Sequence, residues 1–355
     1  MATEIIGQTR AMERLRAAAQ RPVHAYLLVG PRGSGIEQAA REFAALLIGV
    51  ADEDRGRRLV ERGVHPDVVE FEPGGASYRV KDDVRERILP EAARAPIEAD
   101  RKVLILLEAE RLRGNQNESA NAMLKTLEEP PARTIVVLVT SVADDLLPTI
   151  RSRCQRIDFE PVGDDVIAEA LQREGLDPRV AALSGGQLAR ARALAGPLAE
   201  LRAAFASAPS RVDGRGATAL AIAEELDAQV EQAASAVAAQ HTAELAEFDA
   251  EMERLGYTDR DAQRLRRRIE ERHKREARRT RIDLLIEGLS AIESVYRDAL
   301  AAPAPPLNAG GVSLSVSPRA IAESLDACRE AREAFLINEK GIMRLVALLM
   351  SLSPS

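Results

Sequence analysis

Over its first 160 residues the chain places its apolar positions in short unbroken runs, separated by stretches of helical character. Residues 25–29 form one such run, ending at Gly30. A glycine-rich turn follows, and then a predicted helix over 36–47. Residues 68–71, 102–107 and 134–139 are three more runs, the last two apolar on both faces. Continuous apolar strands alternating with helices predict a parallel sheet covered on both sides. Beyond Pro161 the pattern changes. Residues 164–205 read as short helices broken at Gly185 and Gly186, 217–300 as helix almost throughout, and 319–352 as a last helical region. The stretch 302–318, with Pro303, Pro305, Pro306 and Pro318, reads as a loop.

A chain of 355 residues exceeds what one compact core organises. The predicted order is an α/β domain over 1–160, a small helical domain over 161–207 and a larger all-helical domain over 208–355. No internal repeat is present.

Composition narrows the function. Aromatic residues make up 3% and tryptophan is absent, which argues against a stacking surface for single-stranded bases. The two cysteines, Cys154 and Cys328, cannot form a disulfide framework or a cysteine zinc cluster. No apolar run reaches the roughly 18 residues that span a membrane. Glu4 and Arg10 interrupt any apolar leader, so a cytoplasmic location is expected. The net charge of −7 gives no overall attraction to nucleic acid, yet residues 264–281 hold ten Arg or Lys against three Glu.

The turn Gly30-Pro31-Arg32-Gly33-Ser34-Gly35-Ile36-Glu37 follows a strand and opens a helix. That is the setting of a Walker A loop, whose amides cradle phosphates. Gly30 and Gly35 stand where the pattern wants glycine. Ile36, however, replaces the phosphate-binding lysine, and Glu37 replaces the hydroxyl that ligates Mg²⁺. Glu37 at about 4 Å from a phosphate would be repelled by about 1–4 kcal/mol. The alternative is a tight strand-to-helix turn that needs glycine only for its backbone angles. After the 102–107 strand, Leu107 replaces the Walker B aspartate and Glu108 takes the activating position. Losses at both metal-holding positions are hard to reconcile with hydrolysis.

Several segments resemble the bacterial clamp-loader AAA+ family. Ile6-Gly7-Gln8, His24-Ala25-Tyr26-Leu27-Leu28 and His65-Pro66-Asp67 are similar to its early motifs. The most specific stretches are Asn121-Ala122-Met123-Leu124-Lys125-Thr126-Leu127-Glu128-Glu129-Pro130-Pro131 and Leu147-Pro148-Thr149-Ile150-Arg151-Ser152-Arg153-Cys154. Leu183-Ser184-Gly185-Gly186 and Arg190 fall where the family has its sensor-2 helix. Asn338-Glu339-Lys340-Gly341-Ile342 and the helix after it resemble the final collar helix. The resemblance covers residues 1–195 strongly and implies a P-loop AAA+ domain, a helical lid and a helical collar. Ile36, Glu37 and Leu107 are similar to the delta-prime branch of DNA polymerase III rather than to the gamma or tau motor branch. Residues 49–64 lack the cysteines of the family's zinc module, so no zinc is expected. The charged segment around 240–280 looks like actinobacterial versions.

The resemblance implies a subunit of a nucleotidyltransferase holoenzyme that has no ATPase or polymerase activity itself. Its partners would be the gamma/tau and delta subunits, with the sliding clamp and primer-template DNA reached through the assembled loader, and ATP bound by the partner subunits. An active ATPase of the gamma/tau kind and a purely structural scaffold are the alternatives. Arg153, flanked by Ser152 and Cys154, would act on the neighbouring subunit's nucleotide, where a planar guanidinium suits phosphate oxygens. The other reading is a surface arginine paired with a carboxylate. Cys154 reads as a small buried residue, Lys125 as the helical partner of Glu128 and Glu129, and Thr140 with Ser141 as strand-end hydrogen-bonding residues. Arg266, Arg267, Lys274 and Arg278 could meet DNA phosphates or line a solvated helix face.

Overall fold

A computed structural model describes residues 5–31, 33–50, 54–73, 77–113, 118–254, 259–301, 312–337 and 342–352. Residues 302–311 of the proline-rich loop and 338–341 of the collar-like motif lie outside them. The chain divides into two compact units. The first comprises residues 1–170 and 184–190, the second 171–183 and 191–355.

The first unit is built on a five-stranded, all-parallel sheet of order β2-β3-β4-β1-β5. Its strands are β1 (Ala25–Val29), β2 (Val68–Phe71), β3 (Lys102–Leu106), β4 (Thr134–Thr140) and β5 (Gln155–Asp158). Successive side chains alternate between two apolar layers, as strand geometry requires. Tyr26, Leu28, Ile105 and Val137 pack with α1 (Thr9–Gln20) and α2 (Ile36–Ile48). Ala25, Leu27, Leu104 and Leu138 pack on the other face, against a π-helical segment Val80–Ile88 and helices further along the chain. Helices α4 (Leu89–Ala93), α5 (Glu118–Glu128) and α6 (Pro148–Arg151) supply residues to this second layer, α3 (Asp54–Glu61) gives Val60 to the first, and α7 (Asp164–Arg173) follows β5.

Four strands and α2 lie where the apolar runs place them. The fifth strand carries no such run, because only Ile157 of its four residues is buried. An edge strand that covers one side chain leaves little hydrophobic signal.

In the second unit, α9 (Ala199–Ser207), α10 (Gly216–Arg254), α11 (Asp259–Ala301), α12 (Pro318–Ile337) and α13 (Ile342–Ser351) enclose a core that includes Phe205, Leu226, Leu289, Tyr296 and Phe335. The helix α8 (Leu188–Ala195) starts just after two consecutive left-handed glycines, Gly185 and Gly186. With 39 and 43 residues, α10 and α11 each run about 60 Å. Antiparallel cross-links mark their pairing: Arg281 with Asp227 and Glu231, and Arg266 with Asp249. Arg202 is fully buried and forms an ion pair with Glu287.

Candidate functional site

In open parallel sheets, ligand chemistry gathers at the carboxyl ends of the strands. Here β1, β3 and β4 end side by side. The amide of Gly30 donates to the Thr140 carbonyl at 3.1 Å, which ties the glycine-rich turn to the end of β4. A side chain at Gly30 would put its Cβ 2.6 Å from Phe159 Cβ. Gly33 and Gly35 are left-handed, with φ of +74° and +87°, a conformation glycine alone adopts without strain. Gln8 secures the turn from below, its Nε2 donating to the carbonyls of Ser34 (3.3 Å) and Glu160 (2.7 Å). Arg32 lies outside the described residues, and Pro31 accepts the Ser34 amide at 3.2 Å.

Glycines and backbone hydrogen bonds shape this turn, and its side chains face other tasks. Ile36 is 2% exposed and belongs to the apolar layer of α1 and α2. Glu37 is exposed in the first turn of α2. One turn on, Arg41 makes a bidentate ion pair with Glu70 at 2.6 and 2.8 Å. Burial opposes the charge on Arg41, yet Glu70 and then Glu37 outweigh it and raise its pKa.

At the end of β3, Leu107 is 4% exposed, in the same apolar layer as Ile36. Its carbonyl and that of Phe71 accept the hydroxyl of buried Tyr78 at 2.6 and 2.8 Å, locking β2 and β3 together. Glu108 has a left-handed backbone, φ +51°, and pairs with Arg111 at 2.6 Å. The carboxylate that reaches the end of β4 is Glu110, which accepts from Thr140 Oγ1 (2.7 Å) and Ser141 Oγ (3.2 Å). Thr140 and Ser141 are therefore strand-end hydrogen-bonding residues. Gln8, Tyr78 and Glu110 carry no spacing signal; tertiary packing alone brings them to this edge.

Arg153 follows the short helix α6. Its Nη1 donates to the Thr149 carbonyl at 2.8 Å and its Nη2 lies 2.6 Å from Glu128 Oε1, with the side chain 35% exposed. Glu128, expected to pair with Lys125 one turn back, holds Arg153 instead. Ser152 Oγ donates to Thr149 O at 3.2 Å. Burial pushes the Cys154 thiol up to about 12, which keeps it in the thiol form at neutral pH. Arg190 is half-buried in α8.

His65-Pro66-Asp67 is a structural device. The buried Asp67 carboxylate accepts the amides of Ile97, Glu98 and Ala99 at 2.6, 2.7 and 2.8 Å, and the Asp67 amide donates to His65 Nδ1 at 3.1 Å.

In the helical unit, the basic run on α11 meets acidic residues on α10. Arg266 pairs with Asp249 across the hairpin and with Glu270 on its own helix, and Arg272 pairs with Glu244. Arg267 and Lys274 are exposed, and the side chain of Arg278 lies outside the described residues. Leu265 and Ile269 are buried, as a packing stripe requires.

Residues 7–163 match the model of the family described as DNA polymerase III, delta subunit. The chain is 33% identical over 166 residues to DNA polymerase III subunit delta' of Bacillus subtilis, covering 45% of this chain and 49% of that one. It is 36% identical over 188 residues to the Pseudomonas aeruginosa delta', covering 49% and 56%. The B. subtilis tau subunit matches at 32% over 179 residues, covering 48% of this chain and 31% of tau. The chain spans about half the length of the delta' relatives it matches. Over residues 7–163 the chain is similar to the delta' and gamma/tau subunits of DNA polymerase III. Among the described residues, no helix is long and apolar enough to cross a membrane.

Proposed function

We propose that this chain is a non-hydrolysing, delta-prime-like subunit of a DNA polymerase III clamp loader that presents Arg153 to a nucleotide held by a neighbouring gamma/tau subunit. The observation that carries the reading is at the sheet edge. The glycine turn keeps its backbone, while Ile36 and Leu107 occupy the lysine and aspartate positions as core residues and Glu108 is paired with Arg111. A loop with this side-chain set lacks the groups that neutralise a transferring phosphoryl group. In the same proposal residues 1–160 are the AAA+ domain, 161–207 a lid and 208–355 a collar. The loader would also contain delta, act on the sliding clamp and enclose primer-template DNA, with Arg190 in the sensor-2 position.

The Arg153–Glu128 pair favours a second reading, a scaffold without a finger. Magnitude decides against giving it much weight. Both partners are half-exposed, and exposed ion pairs are worth about 0–1 kcal/mol, so a phosphate displaces Glu128 at little cost.

The test is reconstitution of the full loader with Arg153→Ala. A finger is worth roughly 10³–10⁵ at its own site, and the other sites remain, so DNA-stimulated ATPase falls partly and clamp loading falls further. Arg153→Lys does not restore either, because an ammonium cannot make the bidentate contact. Unchanged rates in a complex shown to be assembled leave only the scaffold. Steady turnover of Mg·ATP by the chain alone would overturn the non-hydrolysing reading.

A further inference from the structure

The apolar seam of the α10–α11 hairpin has a gap. On α10, Val230 is the last fully buried residue of the main core, with Ala233 and Ala234 partly buried against it, and Phe248 is the next buried apolar one; every residue between Val230 and Phe248 is exposed or half-exposed. A polar layer fills the interval. His241-Thr242-Ala243-Glu244 on α10 and His273-Lys274-Arg275-Glu276 on α11 each place a histidine and a glutamate three residues apart, hence on one helix face. Because the helices are antiparallel, each histidine meets the other helix's glutamate. His241 Nε2 lies 2.9 Å from Glu276 Oε2 and His273 Nε2 lies 2.8 Å from Glu244 Oε2. The two imidazoles stack with centroids 4.0 Å apart and planes 7° apart.

Cross-hairpin ion pairing explains half of this arrangement. Pairing to two glutamates does not by itself require the rings to stack face to face. His273 is 6% exposed and its Nδ1 is buried without a hydrogen-bond partner. A buried polar atom left unpaired costs about 1–3 kcal/mol, so it calls for an occupant. With Nε2 held by Glu244, the neutral tautomer puts its lone pair on Nδ1. A histidine that gives one nitrogen to a carboxylate and offers the other is the arrangement found at metal centres.

We propose that this layer binds one divalent transition-metal ion of the zinc(II) class, with His241, His273 and Glu276 as ligands and Glu244 orienting His273. Imidazole nitrogen with one carboxylate suits zinc, copper or nickel rather than magnesium or calcium. Ligand atoms of the three residues lie within 4.8 Å of one another. A tetrahedral ion with bonds of 2.0–2.2 Å wants them about 3.4 Å apart, so the site closes by roughly an ångström on binding. Glu276 is exposed and its side chain has room to make that adjustment. The ion replaces the proton between His241 and Glu276. It pins the hairpin where apolar packing is missing, a structural site independent of the nucleotide chemistry.

The experiment uses the full chain, stripped with a chelator and dialysed against Zn²⁺, with bound metal measured by elemental mass spectrometry. One equivalent per chain is expected, lost in His241→Gln and in His273→Gln. Glu244→Gln, which removes only the orienting carboxylate, weakens binding about 10–100-fold. Helical circular dichroism checks each variant. Should a histidine variant unfold, Glu276→Gln on the exposed side supplies the same reading, with weakened binding expected. Wild-type chain that retains no zinc, or zinc retained in full by the folded variants, overturns the proposal.

Discussion

Asp67 shows how a motif that looks catalytic can be structural. Three amides converge on its carboxylate, and they belong to a loop some thirty residues further along the chain. Asp67→Ala leaves three donors without that acceptor, each at about 1–3 kcal/mol if it stays dry, so a loss of roughly 3 kcal/mol or more is expected. Urea unfolding measures it, and hydrogen exchange localises it: the amides of Ile97, Glu98 and Ala99 lose protection. Unchanged protection there would show that the carboxylate does not hold the loop. The sequence makes Ile36 and Leu107 legible because a lysine and an aspartate are missing from a recognisable frame. It gives no sign of Glu110, which reaches Thr140 and Ser141 only through the fold. His241 and His273 are equally silent, since what unites them is helix pairing rather than spacing.

At the scale of elements, the runs of apolar residues announce strands buried on both faces, and they miss β5, which buries one side chain. Long helices are as easily read, but their packing is not. Gly288 lies within α11, where glycine lowers helix stability by about 1 kcal/mol relative to alanine. Its reason is the neighbour: a Cβ there would sit 2.6 Å from two ring carbons of Phe205, which is fully buried. Gly288→Ala therefore gains helix propensity and loses more to overpacking, about 1–3 kcal/mol. A lowered urea midpoint is the expected outcome, and a raised one would mean that the ring moves aside freely. Buried Arg202 beside Glu287 follows a similar logic, since removing one partner strands a charge in the core.

For the whole molecule, the proposal divides labour between the sheet-bearing part and the helices. A chain ending after residue 207 should keep the sheet and lose its place in the loader. Co-purification with gamma/tau and delta tests this, and assembly equal to that of the full chain would refute the collar assignment.

The strand order also bears on how the protein is made. β1 is an interior strand of the sheet, yet its partners are β4 and β5, the last two strands of the sheet to be synthesised. A ribosome making roughly 5–20 residues per second needs on the order of ten seconds to travel from Val29 to Thr134. During that interval Ala25-Tyr26-Leu27-Leu28-Val29, among the most apolar segments of the sheet, has neither edge paired. The nascent chain carries an interior strand as an unshielded β-prone segment, a natural client for the chaperones that meet chains at the exit tunnel.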